Sequence, residues 1–206
     1  MMRLRVGVLA SGRGSNLQSL LDAAGGADYP ARIVVVVSDG ETAAALGRAR
    51  AHGVSAVFLN PKDFGDRAAY DAALTETLRA HDVELVCLAG FMRILGAPFV
   101  RAWAGRILNV HPSLLPAFPG LAAQRQALEH GVKVTGATVH FVDEGVDSGP
   151  IVLQGAVSVE AADTENALSA RILAVEHRLY PEAVRLVAEG RLELVGRRVT
   201  IREVRA

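Results

Sequence analysis

The chain has too few cysteines to cross-link itself. Cys87 stands alone, which excludes an intrachain disulfide and fits a reducing compartment. An excess of either charge is also missing. The 22 Lys and Arg are matched by 22 Asp and Glu, and no block of about five like charges occurs. That balance gives neither nucleic acid nor an anionic membrane an electrostatic footprint. Long apolar runs are absent, and none approaches the ~20 residues a membrane helix needs. The opening "MMRLRVGVLA" is basic and then apolar. Its apolar part is too short for a secretory signal, and a Gly-rich turn stands where cleavage would occur. It reads as a first buried strand, and the protein as cytoplasmic. The His and acid spacing fits no zinc signature, so no metal is expected. No Gly-x-Ser-x-Gly elbow is present, which speaks against a serine hydrolase.

Apolar residues are plentiful. They make up 50% of 206 residues, enough for one domain, 1–206, with a sizeable core. The runs 4–10, 32–38, 54–59, 83–90 and 106–111 read as strands, several of them near-continuous Val, Ile and Leu. Such runs suit a parallel sheet covered on both faces. Helix patterns fall at 15–25, 41–52 and 66–81. In the last of these, Ala69, Ala72, Ala73, Leu74 and Leu78 form the expected apolar face. After about residue 132 the pattern changes to two strand-like runs around the acidic loop "DEGVDSGP", a hairpin pattern with antiparallel pairing. A long helix over about 163–189 follows, with Asp163 preferred to Thr164 as N-cap and Pro181 expected to kink or divide it. The terminal "RLELVGRRVTIREV" reads as a small hairpin. The expected fold is α/β, an open mostly parallel sheet with antiparallel C-terminal strands.

Three places carry candidate chemistry. In "ASGRGSNLQSLLDA" a strand ends, Gly12 and Gly14 allow a tight turn, and Ser15 and Asn16 enter a helix. The free N–H groups of a helix start suit a phosphate, and an ordinary capped turn fits the same residues. Asn109 and His111 lie two apart on the fifth strand and so face one side. Such a pair suits an oxyanion, and equally a hydrogen-bonded strand end. Asp147, in the acidic loop, could stand against an imidazole or simply be solvated. His140 sits mid-strand, and His52, His81 and His130 lie near helix ends.

The segments "SGRGSNLQ", "LAGFMRIL", "NVHPSLLPAFPG", "HFVDEGVDSGPI" and "EHRLYP" occur in this order between about residues 3 and 195. Together the chain resembles the phosphoribosylglycinamide formyltransferases, folate-dependent enzymes of purine synthesis. The resemblance implies a Rossmann-like formyltransferase fold. It also implies transfer of a formyl group from 10-formyltetrahydrofolate, the co-substrate, to the amine of glycinamide ribonucleotide. Gly14, Ser15 and Asn16 match phosphate-holding residues, and Glu176 a carboxylate that receives the amine. Asn109, His111 and Asp147 match the catalytic trio. Met92, Arg93, Ile94 and Leu95 match the folate pocket, with further folate contacts at Arg67, Asn109, His140, Val142, Asp143 and Glu144. The partners implied are small-molecule substrates, with no nucleic acid and no membrane, in a monomer or homodimer. Ala122, where many relatives carry His, and Leu173, where some carry a polar residue, depart from the pattern. Three other readings are weighed. Enzymes that hydrolyse the same folate carry an added N-terminal regulatory domain, whereas the first strand here starts at residue 3. Initiator-tRNA formyltransferases carry an added C-terminal RNA-binding domain. A non-catalytic module could use the same fold.

Overall fold

The computed structural model describes residues 2–203. Met1 and residues 204–206 lie outside them, including the Val204 that ends the expected terminal hairpin. The chain forms two compact units, Met1–Leu108 and Asn109–Ala206.

In the first unit, β1 (Leu4–Leu9) pairs in parallel with β2 (Ala31–Ser38) and with β4 (Leu85–Leu88). β2 pairs in parallel with β3 (Ser55–Phe58), giving the order β3-β2-β1-β4. Val35, Val36 and Val37 are successive and all fully buried. Successive side chains point to opposite faces, so both faces are covered, as the unbroken Val run requires. α1 (Ser15–Ala24) buries Leu17, Leu20 and Leu21, the i, i+3, i+4 stripe of one helix face. Each such leucine contributes roughly 1.5–3 kcal/mol of burial. α2 starts at Ala44 rather than near residue 41 and runs to Ala51, because residues 40–43 close a turn in which the Ala43 N–H meets the Gly40 carbonyl at 3.1 Å.

α3 (Arg67–Ala80) is capped by Asp66, whose carboxylate accepts the Ala69 N–H at 2.8 Å. Its buried face differs from the expected one. Tyr70, Asp71, Leu74 and Leu78 are buried, while Ala69 and Ala72 are exposed. The large side chains decide the rotation, since a methyl gains little from burial and the Tyr70 ring gains much. α4 (Ala97–Ala102), which the periodicity did not predict, is too short to show one.

β5 (Ile107–His111) carries the chain from one unit into the other. In the second unit β6 (Val134–Phe141) and β7 (Ile151–Ser158) form the expected antiparallel hairpin. At its turn only glycine fits position 149, because a Cβ there would lie 1.8 Å from the Phe141 carbonyl oxygen. α5 (Ala123–Glu129) was not predicted either; Ala122 enters it at φ 55°. α6 (Glu165–Ala188) packs on β6 and β7, and its buried residues include Leu168, Ile172, Leu179 and Val184. β8 (Leu192–Val195) and β9 (Arg198–Ile201) pair antiparallel. The fold is thus the expected α/β sheet, mostly parallel, with antiparallel C-terminal strands.

Two expectations for α6 are corrected. Pro181 does not divide the helix, which runs through it. Its cap is Thr164, whose Oγ1 accepts the Ala167 N–H at 3.2 Å. Asp163 is occupied elsewhere, with the Glu160 N–H and the Arg171 guanidinium. Thr164→Ala is therefore expected to lower stability by about 1 kcal/mol, read as a lower urea midpoint with unchanged slope. An unchanged midpoint would remove Thr164 as the cap.

Candidate active site

The turn after β1 has the geometry its glycines suggest. Gly14 takes φ 69° at the N-terminus of α1, with no side chain capping the helix. A Cβ on Gly14 would lie 2.9 Å from Ala45 Cα, so only glycine lets the turn pack against α2. Arg48 of α2 donates to the Arg13 carbonyl at 2.9 Å, and the Ala45 N–H reaches the Gly12 carbonyl at 3.2 Å. The start of α1, with Ser15 and Asn16, therefore presents N–H groups from a fixed turn, the arrangement that binds anions.

The segment after β4 is a surface strap. Met92 and Ile94 are 70% and 69% exposed, with Arg93 exposed and Leu95 partly covered. Arg67, at the first turn of α3, has its Nε 3.6 Å from where a Gly96 Cβ would stand. A cleft of about 820 Å³ lies between α3 and α4, lined by Arg67, Asp71, Glu76 and Arg79 among others. None of the expected catalytic trio lines it, so shape alone does not locate the chemistry.

The second unit holds the polar cluster. β5 presents Asn109 and His111 on one side, as residues two apart must be. Asp147 meets both. Its Oδ2 lies 3.3 Å from His111 Nδ1 and accepts the Gly120 N–H at 2.8 Å. Its Oδ1 accepts from Asn109 Nδ2 at 3.4 Å and lies 3.7 Å from His140 Nε2. His111 Nε2 faces the Phe118 carbonyl at 2.8 Å. Both His111 nitrogens thus face acceptor oxygens. Asn109 Nδ2 also stands 3.2 Å from His140 Nε2, and His140 Nδ1 stands 2.8 Å from the Phe141 carbonyl. If Nδ1 carries the proton, Nε2 is free to accept from the amide.

Burial alone would push the Asp147 carboxyl up. The neighbouring His140 imidazole, the Gly120 N–H and the His111 ring outweigh it, and the group is held below the ordinary carboxylate value. Asp147 keeps this position at φ 49°, a left-handed conformation that a non-glycine residue adopts at a cost.

Four partners of this cluster carried no signal in the sequence. The Phe118 carbonyl and the Gly120 N–H are backbone groups, which any residue supplies. Thr138 Oγ1 donates to the Ser113 carbonyl at 2.7 Å and accepts the Leu115 N–H at 3.0 Å. Gln154 donates to the Leu115 carbonyl at 2.9 Å. These bonds, and not the prolines alone, hold the loop after His111. His140, expected as a folate contact, is 2% exposed and belongs to the cluster. Asp143 is turned into its own loop, accepting from Gly145 N–H and Ser148 Oγ, while Val142 is partly covered and Glu144 exposed. Glu176 lies buried on α6. Among the described residues, no group of three or more His, Cys, Asp or Glu could hold a metal ion, and no helix is long and apolar enough to cross a membrane.

The sequence pattern of the formyl transferase family matches residues 4–184. The chain belongs to the formyl transferase family. It is 50% identical over 203 residues to phosphoribosylglycinamide formyltransferase of Mycobacterium tuberculosis, covering 96% of this chain and 94% of that one. It is 47% identical over 192 residues to the trifunctional purine biosynthetic protein adenosine-3 of Homo sapiens, covering 93% of this chain. The chain spans only 19% of that relative's length, and 14% of its Drosophila melanogaster counterpart. Among solved structures, glycinamide ribonucleotide transformylase 1 from Symbiobacterium toebii superposes with a TM-score of 0.96 at 58% identity, covering 98% of this chain and 95% of that one. A formyltetrahydrofolate deformylase from Pseudomonas syringae superposes at 0.91 with 27% identity, covering 98% of this chain and 67% of that one.

The lowered Asp147 value has a sign that can be measured in this family member. A carboxyl whose folded value is depressed stabilises the fold above the unfolded value of about 3.9, and that stabilisation is lost as pH falls through the folded value. Chemical denaturation from about pH 6 down to pH 3 is expected to show wild type losing its advantage over Asp147→Asn as acid is added. An advantage that grows in acid would contradict the cluster's electrostatics.

Proposed function

We propose that this chain transfers the formyl group of 10-formyltetrahydrofolate to the amino group of glycinamide ribonucleotide in purine biosynthesis. One observation carries the proposal: Asp147 holds Asn109 and His111 together on β5, with two hydrogen-bond donors on one side. In the reaction the substrate amine attacks the formyl carbon, a C–N bond forms, and charge builds on the formyl oxygen. Collapse breaks the bond to the folate nitrogen, and the proton released by the amine ends on that nitrogen. Asn109 and His111 are the donors to the oxyanion. Asp147 orients His111 and relays the proton through water.

The structure places a condition on this mechanism. His111 Nε2 is engaged by the Phe118 carbonyl, and the Asn109 amide by Asp147 and His140. Donation to the oxyanion must replace or share these bonds. The replaced bonds reduce the net gain, but they also aim both groups before the substrate arrives. Buried His140 acts here by holding Asn109, and its folate contact is indirect.

The remaining roles follow the family. Gly14, Ser15 and Asn16 hold the ribonucleotide phosphate, and Glu176 receives the amine. Met92, Arg93, Ile94, Leu95, Arg67, Val142, Asp143 and Glu144 line the donor site. No metal is required, because the two donors stabilise the charge a Lewis acid would otherwise meet. On this reading 1–206 is one catalytic domain, in a cytoplasmic monomer or homodimer.

A second reading comes from the deformylase neighbour. Water could attack the same formyl carbon over the same cluster. Folate turnover measured with and without glycinamide ribonucleotide separates the two. Formyl transfer predicts turnover that depends on the amine, and rapid turnover without it would establish the hydrolase. Asn109→Ala is expected to lower kcat by roughly 10²-fold or more, the scale for one oxyanion donor. Near-normal turnover in this variant would remove Asn109 from the chemistry.

A further inference from the structure

The strap over residues 90–96 is suspended from side chains at two points. Near its start, Ser11 Oγ accepts the Met92 N–H at 2.9 Å, and the Ser11 N–H reaches the Gly90 carbonyl at 3.0 Å. At its end, Asp71 Oδ2 accepts the Gly96 N–H at 2.7 Å. Arg93 lies between them, its guanidinium 5.2 Å from the Tyr70 ring centroid. Exposed Met92 and Ile94 are carried by the span between these posts.

Asp71 is the unexpected member. It is 5% exposed, on the buried face of α3 beside Tyr70 and Leu74. Burying a carboxylate there costs free energy that an apolar residue would not. Burial pushes its carboxyl up, against the Gly96 N–H and the charges of Arg67 and Arg93. What the carboxylate gains locally is the Gly96 bond. A Cβ at position 96 would stand 2.8 Å from that oxygen, so the glycine permits the approach.

We propose that Asp71 is a positioning residue for the formyl donor: with Ser11 as the second post, it fixes the strap so that Met92 and Ile94 meet the folate as a preformed apolar surface. This rests on the reading of Met92–Leu95 as part of the donor site. A strap free at one end would have to be ordered on binding, and that cost would fall on donor affinity. The chemical step, carried by other groups, would be little changed.

The test combines amide hydrogen exchange with steady-state kinetics on the full chain, using 10-formyltetrahydrofolate and glycinamide ribonucleotide. In Asp71→Ala, exchange at Gly96 and through the strap is expected to quicken by about tenfold, and donor KM to rise by about tenfold, with kcat within about twofold of wild type. Asp71→Asn keeps an oxygen that can accept the same N–H, and should restore most of the donor KM. Ser11→Ala should loosen Met92 in the same way, and serves if Asp71→Ala fails to fold. Quickened strap exchange with an unchanged donor KM would overturn the proposal, as would unchanged strap exchange in both Asp71→Ala and Ser11→Ala. Wild-type strap amides that gain no protection from the folate would instead overturn the donor-site reading, and the proposed role with it.

Discussion

The carboxylate of Asp147 accepts the Gly120 N–H on one oxygen and the Asn109 amide on the other, and it faces two imidazoles. These four groups come from three segments: Asn109 and His111 from β5, Gly120 from the proline-rich loop, and His140 from β6. Their convergence on one charge fixes where Asn109 and His111 point. In a largely buried site such a charge is costly unless it is hydrogen-bonded, and here the Gly120 N–H and the Asn109 amide meet one oxygen each, with His111 beside the first. The left-handed backbone at Asp147 is part of the same arrangement, a local cost offset by the contacts it permits.

Around this charge the fold supplies rigidity in layers. Thr138 on β6 and Gln154 on β7 tie down the loop that carries Phe118 and Gly120. α6 covers the hairpin from which Thr138, His140 and Gln154 project, with Ile172 fully buried and Leu179 nearly so. In the first unit the same economy appears in a different form. A glycine at φ 69° sets the turn before α1, and two side-chain acceptors hold the strap after β4. In both units strands and helices fix the ends of these loops.

Much of this was legible from the residues. The unbroken Val run of β2 announced a strand covered on both faces, and the change of pattern near residue 132 announced the antiparallel hairpin. Asn109 and His111 could be placed on one side from spacing alone. Other features were hidden for physical reasons. Backbone partners such as the Phe118 carbonyl have no residue signature. The rotation of α3 followed its bulkiest residue, Tyr70, and not the count of alanines, which concealed Asp71. Adjacent Asp163 and Thr164 are both good caps by type, and only Arg171 and the Glu160 N–H, by occupying Asp163, decide between them. The contact of buried His140 with Asn109 had no signal either, because it joins two strands far apart in sequence.

The most direct measurement of the central claim is formyl transfer by Asp147→Asn under saturating folate and ribonucleotide. The substitution keeps the size of the side chain and removes its charge. If Asp147 organises the donors, kcat should fall by at least about 10²-fold while both substrates still bind. Turnover within a few-fold of wild type would show that Asn109 and His111 work without this carboxylate, and would contradict the account.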